Sequence, residues 1–493
     1  MKFKRILGAL AFALMASVAL AQPAPGAGAG APGLDPATLG EAQIAQMQVP
    51  EAVYRLAAIY KQNGDLERLT WALRRLVALQ PNTGDLKLAL ATAYAQRGLK
   101  TETYDTLLAM QRQGYGYDLS NNENFSKVSD TRVWNYIVDA LKTNMKPFGE
   151  GKVAFTLPGG DHLYESLAYD DKRKQLLVGS VRDGTVSRVG KNGALQDFVA
   201  PDAKNGLWSV YALAADPAHD ALYVASTSSV YFKRFAQADY GKAGVFKFKL
   251  SSGQLVDKYL LEPDPQPRTL SSIAVGGDGE VFAADGLRNE IYRLDGGALK
   301  LMVKNPKLTS LRGLAVSGDG KTLYFADYML GVFGADLTAG RGIDLAYDPG
   351  TLALGGIDGL YWYRNNLVAI ENGMSPRRVI RLTLADDGRS IVKAMPLDVA
   401  NPAFGLPTYG AIDGDALYFI ANSQKNAYDA YGSPKSDAKL EPVRVFRSDL
   451  RFAWDEPGID TRPPAVRAAA AAAAHRAGPF GNVESGVESA PAH

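Results

Sequence analysis

Six copies of one two-strand unit lie between residues 167 and 421, and this repetition constrains the fold more than any other feature. Each copy has an apolar run, a turn, and a second apolar run that ends in small or acidic residues. The first copy combines residues 167–170 with 177–180, and the others begin at residues 213, 273, 314, 360 and 411. Short runs rich in Tyr, Phe and Val between Asp-Gly and Asn-Gly turns are typical of antiparallel hairpins.

The copies lie about 41 to 60 residues apart, which leaves room for a second hairpin in most of them. Six four-stranded units of this kind predict an all-β, six-bladed β-propeller over residues 149–453. The run at residues 152–157 precedes the first copy, so we expect it to supply the outer strand of the last blade. A seven-bladed ring would need another copy, and we find none in the sequence.

A helical pattern covers residues 50–113 and repeats with an offset of 34 residues. The recurring pairs are Leu56 and Leu90, Ala57 and Ala91, Tyr60 and Tyr94, and Gly64 and Gly98. This pattern resembles the tetratricopeptide repeat, which is a pair of helices packed around a small residue. The resemblance implies a small all-α helical-repeat domain over residues 35–148. Such a domain either binds a peptide partner or caps the neighbouring domain, and the sequence leaves both roles open.

Both ends of the chain are predicted to lie outside these domains. Residues 1–21 combine a basic start, an apolar run and the small residues Ala19 and Ala21, as in a cleaved signal peptide. We therefore expect a periplasmic or secreted protein without membrane insertion in its mature form; the alternative is a retained anchor. Residues 22–34, rich in Pro, Ala and Gly, are predicted to be a flexible linker, and the Ala-rich residues 454–493 a disordered tail.

The composition excludes several classes of site. The chain has no cysteine and four histidines, which excludes disulfides, thiolate nucleophiles, zinc-thiolate sites and iron–sulfur clusters. Its 54 basic and 52 acidic side chains give a net charge of +2, so the charge predicts no nucleic-acid partner. Oxygen ligands are the remaining route to a metal site.

The innermost strands of a propeller run along its central channel, so the residues that start them converge on one mouth. Aligning the six copies places one residue per blade at this position, two residues before each inner apolar run. These residues are Glu165, Tyr211, Ser271, Arg312, Asp358 and Tyr409. They are the candidate site.

Two segments carry a resemblance to a known family. With Glu165 opening the first blade, Gly-Leu-Ala-Val-Ser-Gly-Asp-Gly-Lys-Thr-Leu-Tyr-Phe-Ala-Asp at 313–327 and Ile-Asp-Gly-Leu at 357–360 resemble the senescence-marker-protein/gluconolactonase/LRE-like propellers. The resemblance covers about residues 150 to 450. It implies a divalent cation, often calcium, held by a Glu of blade one, an Asn of blade four and an Asp of blade five. That Asp also serves as the base, and a further Asn in blade three helps to hold substrate.

Two of these four positions differ in this chain. Glu165 and Asp358 match the family's Glu and Asp, whereas Arg312 and Ser271 stand where the family has Asn. A guanidinium has no lone pair for a metal and carries a permanent positive charge. We therefore predict that Arg312 takes the place of the cation and that no cofactor is bound. The alternative is that Glu165 and Asp358 still bind calcium or another divalent cation.

Together with these residues, the resemblance implies a small-molecule site of the lactone, ester or sugar-derived class. The predicted roles are Asp358 as base, Glu165 as a second catalytic group, and Arg312, Ser271, Tyr211 and Tyr409 as ligand-binding residues. His162, three residues before Glu165, is a further candidate acid or base, against its interpretation as a solvated loop histidine. The sequence leaves open whether the site is catalytic. The alternative function is a non-catalytic scaffold that joins a peptide-binding helical region to a propeller platform.

Overall fold

The computed structural model describes residues 35–451 and 459–477. The predicted signal peptide, the predicted linker and the last residues of the predicted tail, from 478 onward, lie outside the described residues. The described helices are α1 (Glu41–Ala45), α2 (Pro50–Gln62), α3 (Leu66–Leu79), α4 (Gly84–Arg97), α5 (Lys100–Arg112), α6 (Arg132–Asn144) and α7 (Pro464–Ala477). None of them is both long and apolar enough to span a membrane.

Six antiparallel sheets follow α6. Strand β1 (Lys152–Leu157) comes first in the chain and belongs to the sheet of the last blade. Blade one has β2 (Tyr164–Asp170), β3 (Gln175–Ser180), β4 (Val186–Val189) and β5 (Leu195–Val199). Blade two has β6 (Ser209–Asp216), β7 (Ala221–Thr227), β8 (Ala243–Lys249) and β9 (Leu255–Leu260). Blade three has β10 (Leu270–Val275), β11 (Val281–Asp285), β12 (Glu290–Asp295) and β13 (Ala298–Lys304).

The other three sheets complete the ring. Blade four has β14 (Leu311–Val316), β15 (Thr322–Asp327), β16 (Gly331–Asp336) and β17 (Arg341–Asp344). Blade five has β18 (Ile357–Tyr363), β19 (Asn366–Glu371), β20 (Arg378–Leu384), β21 (Ile391–Val399) and, at its outer edge, β25 (Ile459–Asp460). Blade six has β22 (Gly410–Asp413), β23 (Ala416–Ile420) and β24 (Val443–Asp449).

This arrangement confirms the predicted six-bladed propeller. The six sequence copies supply the first and second strands of the six blades. Strand β1 pairs with β24, with Val153 opposite Phe446 and Leu157 opposite Val443, so the predicted outer strand closes the last blade. This closure ties the start of the propeller to its end and removes the free edge that the ring would otherwise have.

The apolar core is divided among the six gaps between neighbouring blades. Each gap is filled by side chains from both blades, for example Leu177 of blade one against Leu222 of blade two. The last gap joins Val178 of blade one to Ile420 of blade six, as the closed ring requires. Because every blade packs on two neighbours, the starts of the inner strands are held at fixed positions around one axis.

The helices pack against the propeller beside blades four and five. The Asn82 carboxamide donates to the Leu330 carbonyl at 2.7 Å and accepts from the Leu354 backbone N–H at 3.1 Å. The Gly116 backbone N–H donates to the Ser375 carbonyl at 2.7 Å. Helices α2 with α3 and α4 with α5 form two hairpins whose starts lie 34 residues apart.

The structure differs from the predicted disordered tail over residues 459–477. Strand β25 pairs with β21, and the Thr461 hydroxyl donates to the Ile391 carbonyl at 2.9 Å. Helix α7 follows, and its Arg467 forms an ion pair with Asp348 at 2.5 Å. The prediction failed here because the alanine run has no apolar face, whereas these polar contacts lie just before it and in its first turn.

Candidate functional site

Each of the first five inner strands has an irregular register at its candidate residue. The ladder between the first and second strand of the blade skips one or two positions there. The skipped positions include Glu165, Tyr211, Ser271, Arg312 and Asp358. Tyr409 directly precedes β22, and its carbonyl accepts from the Ile420 backbone N–H at 3.1 Å. Bulges of this kind turn a side chain away from the regular pleat and are common beside active sites.

Asp358 is the electrostatic centre of the mouth. Its carboxylate is 1% exposed and forms ion pairs with Arg312, at 3.3 Å from Nε to Oδ1, and with Lys425, at 3.6 Å from Nζ to Oδ2. The Asn372 amide donates to Oδ2 at 2.5 Å. Burial by itself raises the pKa of Asp358, but Lys425, Arg312 and Asn372 together outweigh burial and lower it below its ordinary value. Asp358 is therefore ionised at neutral pH.

Glu165 lies in the same mouth, but its pKa is shifted in the opposite direction from that of Asp358. It is 6% exposed, and the Ser423 hydroxyl donates to its Oε1. Burial raises the pKa of Glu165 to about 7, with Lys425 and the Ser423 hydrogen bond acting only partly against it. Glu165 therefore exchanges a proton near neutral pH, whereas Asp358 does not.

Arg312 reaches the mouth with most of its donors unused. Its guanidinium lies over the Tyr328 ring, 5.8 Å from the ring centre. Among the described residues its one hydrogen bond runs from Nη1 to the Leu311 carbonyl, at 3.5 Å, and its buried Nε makes none. A guanidinium has five donors. Arg312 therefore offers several N–H groups to a molecule at the mouth.

The two predicted tyrosines differ in their partners. The Tyr211 hydroxyl donates to the Ser229 hydroxyl at 2.9 Å, which fixes it against a neighbouring loop. The Tyr409 hydroxyl makes no hydrogen bond to any other residue that the structure describes. Burial raises the pKa of Tyr409 well above its ordinary value, and the negative charge of Asp358 adds to this effect. Tyr409 is therefore a neutral donor at the mouth.

Ser271 lies beside the same group of side chains. A Cβ atom placed on Gly286 would lie 2.6 Å from the Ser271 Oγ and 3.1 Å from the Arg312 Nη1, so the serine and the guanidinium share one wall. Several buried polar atoms on or next to the inner strands make no hydrogen bond within the described residues. They are Ser166 Oγ, Ser271 Oγ, Arg312 Nε, Asp358 Oδ1 and Thr408 Oγ1.

A cavity of about 50 Å³ continues from the mouth between the inner strands of all six blades. Its lining includes Leu167, Leu213, Ile273, Leu314, Leu360 and Tyr409. This space holds a few water molecules at most. A sugar-sized ligand does not fit in this space.

His162 lies outside the group of charges around Asp358. Its Nδ1 contacts the Asp183 carboxylate at 2.7 Å, and its ring stacks on Tyr164 with 5.5 Å between the ring centres. Asp183 is also paired with Lys233, at 2.6 Å. No contact joins His162 to Glu165 or Asp358 in the described part of the chain, and its geometry is that of a loop histidine held by an acid.

Three site residues were missed in the sequence: Asn372, Ser423 and Lys425. All of them follow the second strand of a blade, where the chain turns back on the mouth face. Asn372 comes directly after β19, and Ser423 and Lys425 lie just beyond β23. Aligning the residues after the second strands, as well as those that start the first strands, is the signal that could have found them.

Two acidic residues near this rim have a structural role. Asp285 accepts backbone N–H groups of Thr269, Leu287 and Arg288, at 3.0–3.1 Å. Asp327 accepts those of Thr309, Ser310, Met329 and Leu330. Their carboxylates satisfy the turns around them, as Asp commonly does.

The donor set at the mouth does not fit the divalent cation that the family resemblance implies. The two matching carboxylates are close to Arg312 and Lys425, whose charges would repel a metal ion. Among the described residues, no group of three or more His, Asp or Glu side chains is placed to hold one. The positive charge near Asp358 comes from the protein's own side chains.

No protein-family model matches the chain, and no curated protein is similar to it. Similar solved structures include an aldose sugar dehydrogenase from Streptomyces coelicolor in its PQQ-bound form, with 18% identity over 62% of this chain and 99% of that one, at a TM-score of 0.40. A gluconolactonase from Xanthomonas campestris has 16% identity over 60% of this chain and 88% of that one, at 0.39. Virginiamycin B lyase from Staphylococcus aureus has 13% identity over 61% of this chain and 100% of that one, at 0.40. Likenesses this distant carry no argument about activity.

Proposed function

We propose that the channel mouth binds a small polar molecule of the lactone, ester or sugar-derived class and hydrolyses it. The observation that carries this proposal is the pair of carboxylates, Glu165 and Asp358, whose pKa values move in opposite directions within one mouth. Two carboxyl groups separated in this way are the usual mark of an acid–base site. The unused donors of Arg312 and Tyr409 supply the contacts that would hold ligand oxygens.

Glu165 is the acid–base group in this proposal. A pKa of about 7 suits a group that takes and returns a proton at neutral pH. A water molecule gives its proton to the Glu165 carboxylate while its oxygen bonds to the acyl carbon of the ligand. The acyl carbon–oxygen bond then breaks, and the leaving oxygen takes the proton back from Glu165. The products are a carboxylic acid and an alcohol, joined in one hydroxy acid if the ligand is a lactone.

Asp358 takes a different role from the base predicted from the sequence. With its pKa held low by two cations, it is a weak base. Its fixed negative charge instead orients Arg312 and Lys425, which can stabilise negative charge on a ligand oxygen. In this division of roles, Arg312 and Lys425 supply the positive charge that a metal ion supplies in the family.

A panel of lactones and aryl esters tests the proposal, using the mature chain with EDTA or with added calcium. We expect hydrolysis in EDTA, no gain with calcium, and a loss of about 100-fold or more in the Glu165→Gln variant. The matched control is Glu262→Gln, at an exposed loop position. Hydrolysis that survives Glu165→Gln unchanged, or the absence of hydrolysis across the panel, would overturn the proposal.

Three further proposals rest on the sequence alone. They are that the protein is exported, that the helical hairpins are tetratricopeptide-like repeats, and that these hairpins bind a peptide partner. Amino-terminal sequencing of the protein recovered from the periplasm or medium tests export, with Gln22 as the expected first residue. The contacts of Asn82 and Gly116 with propeller loops favour the capping role of the helices over the peptide groove.

A further inference from the structure

The mouth holds more positive charge than its own carboxylates neutralise. Arg312 and Lys425 both face Asp358, and no other ionised acid is paired with either of them among the described residues. Glu165 is only partly ionised near neutral pH. Part of a unit of positive charge is therefore left over at pH 7, and a full unit when Glu165 is protonated, at a position lined with hydroxyl groups.

The free donors around this charge are arranged on several sides. The Arg312 Nε is buried and faces Asp358 Oδ1 at 3.3 Å, whereas the side chain as a whole is 28% exposed. The Lys425 side chain is 40% exposed, and its ammonium pairs with the Asp358 carboxylate at 3.6 Å. The Ser271 and Thr408 hydroxyls are buried and have no hydrogen-bond partner among the described residues. The Tyr409 hydroxyl lies close to Asp358 and Arg312 and also bonds to no other described residue.

We infer that the ligand of this mouth is a small hydroxylated monocarboxylate, such as a sugar acid, whose carboxylate lies between Arg312 and Lys425. This inference rests on the proposed function and names the ligand class of the same site. A guanidinium and a carboxylate match as planar partners with two parallel hydrogen bonds. The ligand hydroxyls then meet the Tyr409 hydroxyl.

The charge count favours a carboxylate over a phosphate. A carboxylate brings one negative charge and neutralises the surplus. A phosphate brings up to two charges at pH 7, and the second would face the ionised Asp358 without a partner. A neutral sugar leaves the surplus charge and the Arg312 donors unsatisfied, which costs affinity in a buried site.

Three probes with one common ring separate these cases: D-glucose, D-glucuronate and D-glucose 6-phosphate. They differ only at C6, which is a neutral CH2OH group in glucose, a carboxylate in glucuronate and a phosphorylated CH2OH group in glucose 6-phosphate. Isothermal titration calorimetry on the mature chain, at pH 7 and low salt, measures their affinities. We expect glucuronate to bind about 10-fold or more tighter than glucose, in line with hydrogen bonds to charged groups, and no gain for the phosphate.

Two variants test whether the preference for glucuronate depends on Arg312 and on Lys425. Arg312→Gln is expected to remove the preference for glucuronate, and Lys425→Gln to reduce it about 3- to 10-fold. Because the Lys425 side chain is 40% exposed, that variant remains informative if Arg312→Gln fails to fold. Lys321→Gln is the matched control, since Lys321 is 72% exposed on a distant turn, and it should leave all three affinities unchanged.

Each outcome decides the inference. Tighter glucuronate binding that depends on Arg312 or Lys425 supports it. Equal affinity for glucose and glucuronate, or tighter binding of the phosphate, overturns the monocarboxylate while leaving a small-molecule site in place. Absence of binding by all three probes, together with absence of hydrolysis across the lactone and ester panel, overturns both this inference and the proposed function.

Discussion

Strand β2 carries a buried acid at each end, and the two acids have different surroundings. Asp170, at the end away from the mouth, accepts backbone N–H groups of Lys172 and Arg173 at 3.2 Å and pairs with the Arg173 guanidinium at 2.7 Å. Glu165, about 17 Å away along the strand, has the Ser423 hydroxyl as its one hydrogen-bond partner among the described residues. Burial is common to both, so burial does not distinguish a structural acid from a functional one. The two acids differ in the number of hydrogen-bond donors around the carboxylate, which is larger for Asp170 than for Glu165.

The largest expected effect comes from replacing, one at a time, the two acids at the ends of β2 by their amides. Glu165→Gln should lower kcat/KM for the panel substrates about 100- to 10,000-fold, because it removes the acid–base group. Asp170→Asn should leave kcat/KM within a few-fold but lower the free energy of unfolding by about 1–3 kcal/mol, since it weakens a capped turn. Steady-state kinetics and urea unfolding of both variants measure the two effects. If Asp170→Asn proved the more damaging to kcat/KM, the contrast between the two ends would be wrong.

A second prediction concerns the pH dependence of stability. Because the pKa of Glu165 is raised in the folded protein from 4.5 to about 7, the folded state binds the proton more tightly than the unfolded state. The contribution of Glu165 to stability is therefore greatest below pH 4.5, and it is lost as the pH rises from 4.5 to 7. The loss corresponds to about 3 kcal/mol.

Urea unfolding at several pH values, with Glu165→Gln as the reference, isolates this contribution from that of other acids. Asp398 makes such a reference necessary, since burial also raises its pKa, to about 6. The difference in unfolding free energy between wild type and Glu165→Gln should fall as the pH rises from 4.5 to 7. A difference that stays constant over this range would show that Glu165 is not perturbed by burial.

A smaller effect is expected at the two ends of β19. Asn372, just after the strand, donates to Asp358 and to the Pro407 carbonyl and accepts from the Tyr328 hydroxyl at 2.8 Å. Asn372→Ala should raise the pKa of Asp358 and lower kcat/KM about 10-fold, the effect of losing a hydrogen bond of about 1.5 kcal/mol to a charged group. Asn366, at the start of the strand, bonds only to its own turn and to Thr383.

Asn366→Ala is therefore the matched control for Asn372→Ala. We expect the pKa of Asp358, followed by NMR titration of its carboxyl group, to rise in Asn372→Ala and to stay in place in Asn366→Ala. A similar loss of activity in both variants, with no change in the pKa of Asp358, would mean that Asn372 acts through stability alone.

The sequence was sufficient for the ring and for its mouth. The six copies differ in length, but each repeats an inner apolar run before a turn. This repetition predicted the six blades and the six residues that start the inner strands. It also left residues 152–157 as the strand that closes the last blade. These residues could be aligned because their blade position is fixed by the apolar runs that follow. The register irregularities at Glu165 and Asp358 lie where the alignment placed the site.

The charge state of the mouth could not be predicted in the same way. Lys425 and Ser423 lie in a long loop whose path depends on packing against other blades, and no sequence period positions them. Without Lys425 the sequence showed one cation for two carboxylates, and the family resemblance implied Asp358 as the base. The structure shows two cations beside Asp358, and Glu165 left with a serine hydrogen bond.

The most direct test of this account is the pH profile of kcat/KM for the best substrate of the panel, measured in EDTA. The account predicts a rise with a midpoint near pH 7, from ionisation of Glu165 in the free enzyme, which disappears in Glu165→Gln and is unchanged by added calcium. Activity that requires an added divalent cation, or a profile that is the same in wild type and Glu165→Gln, would contradict it.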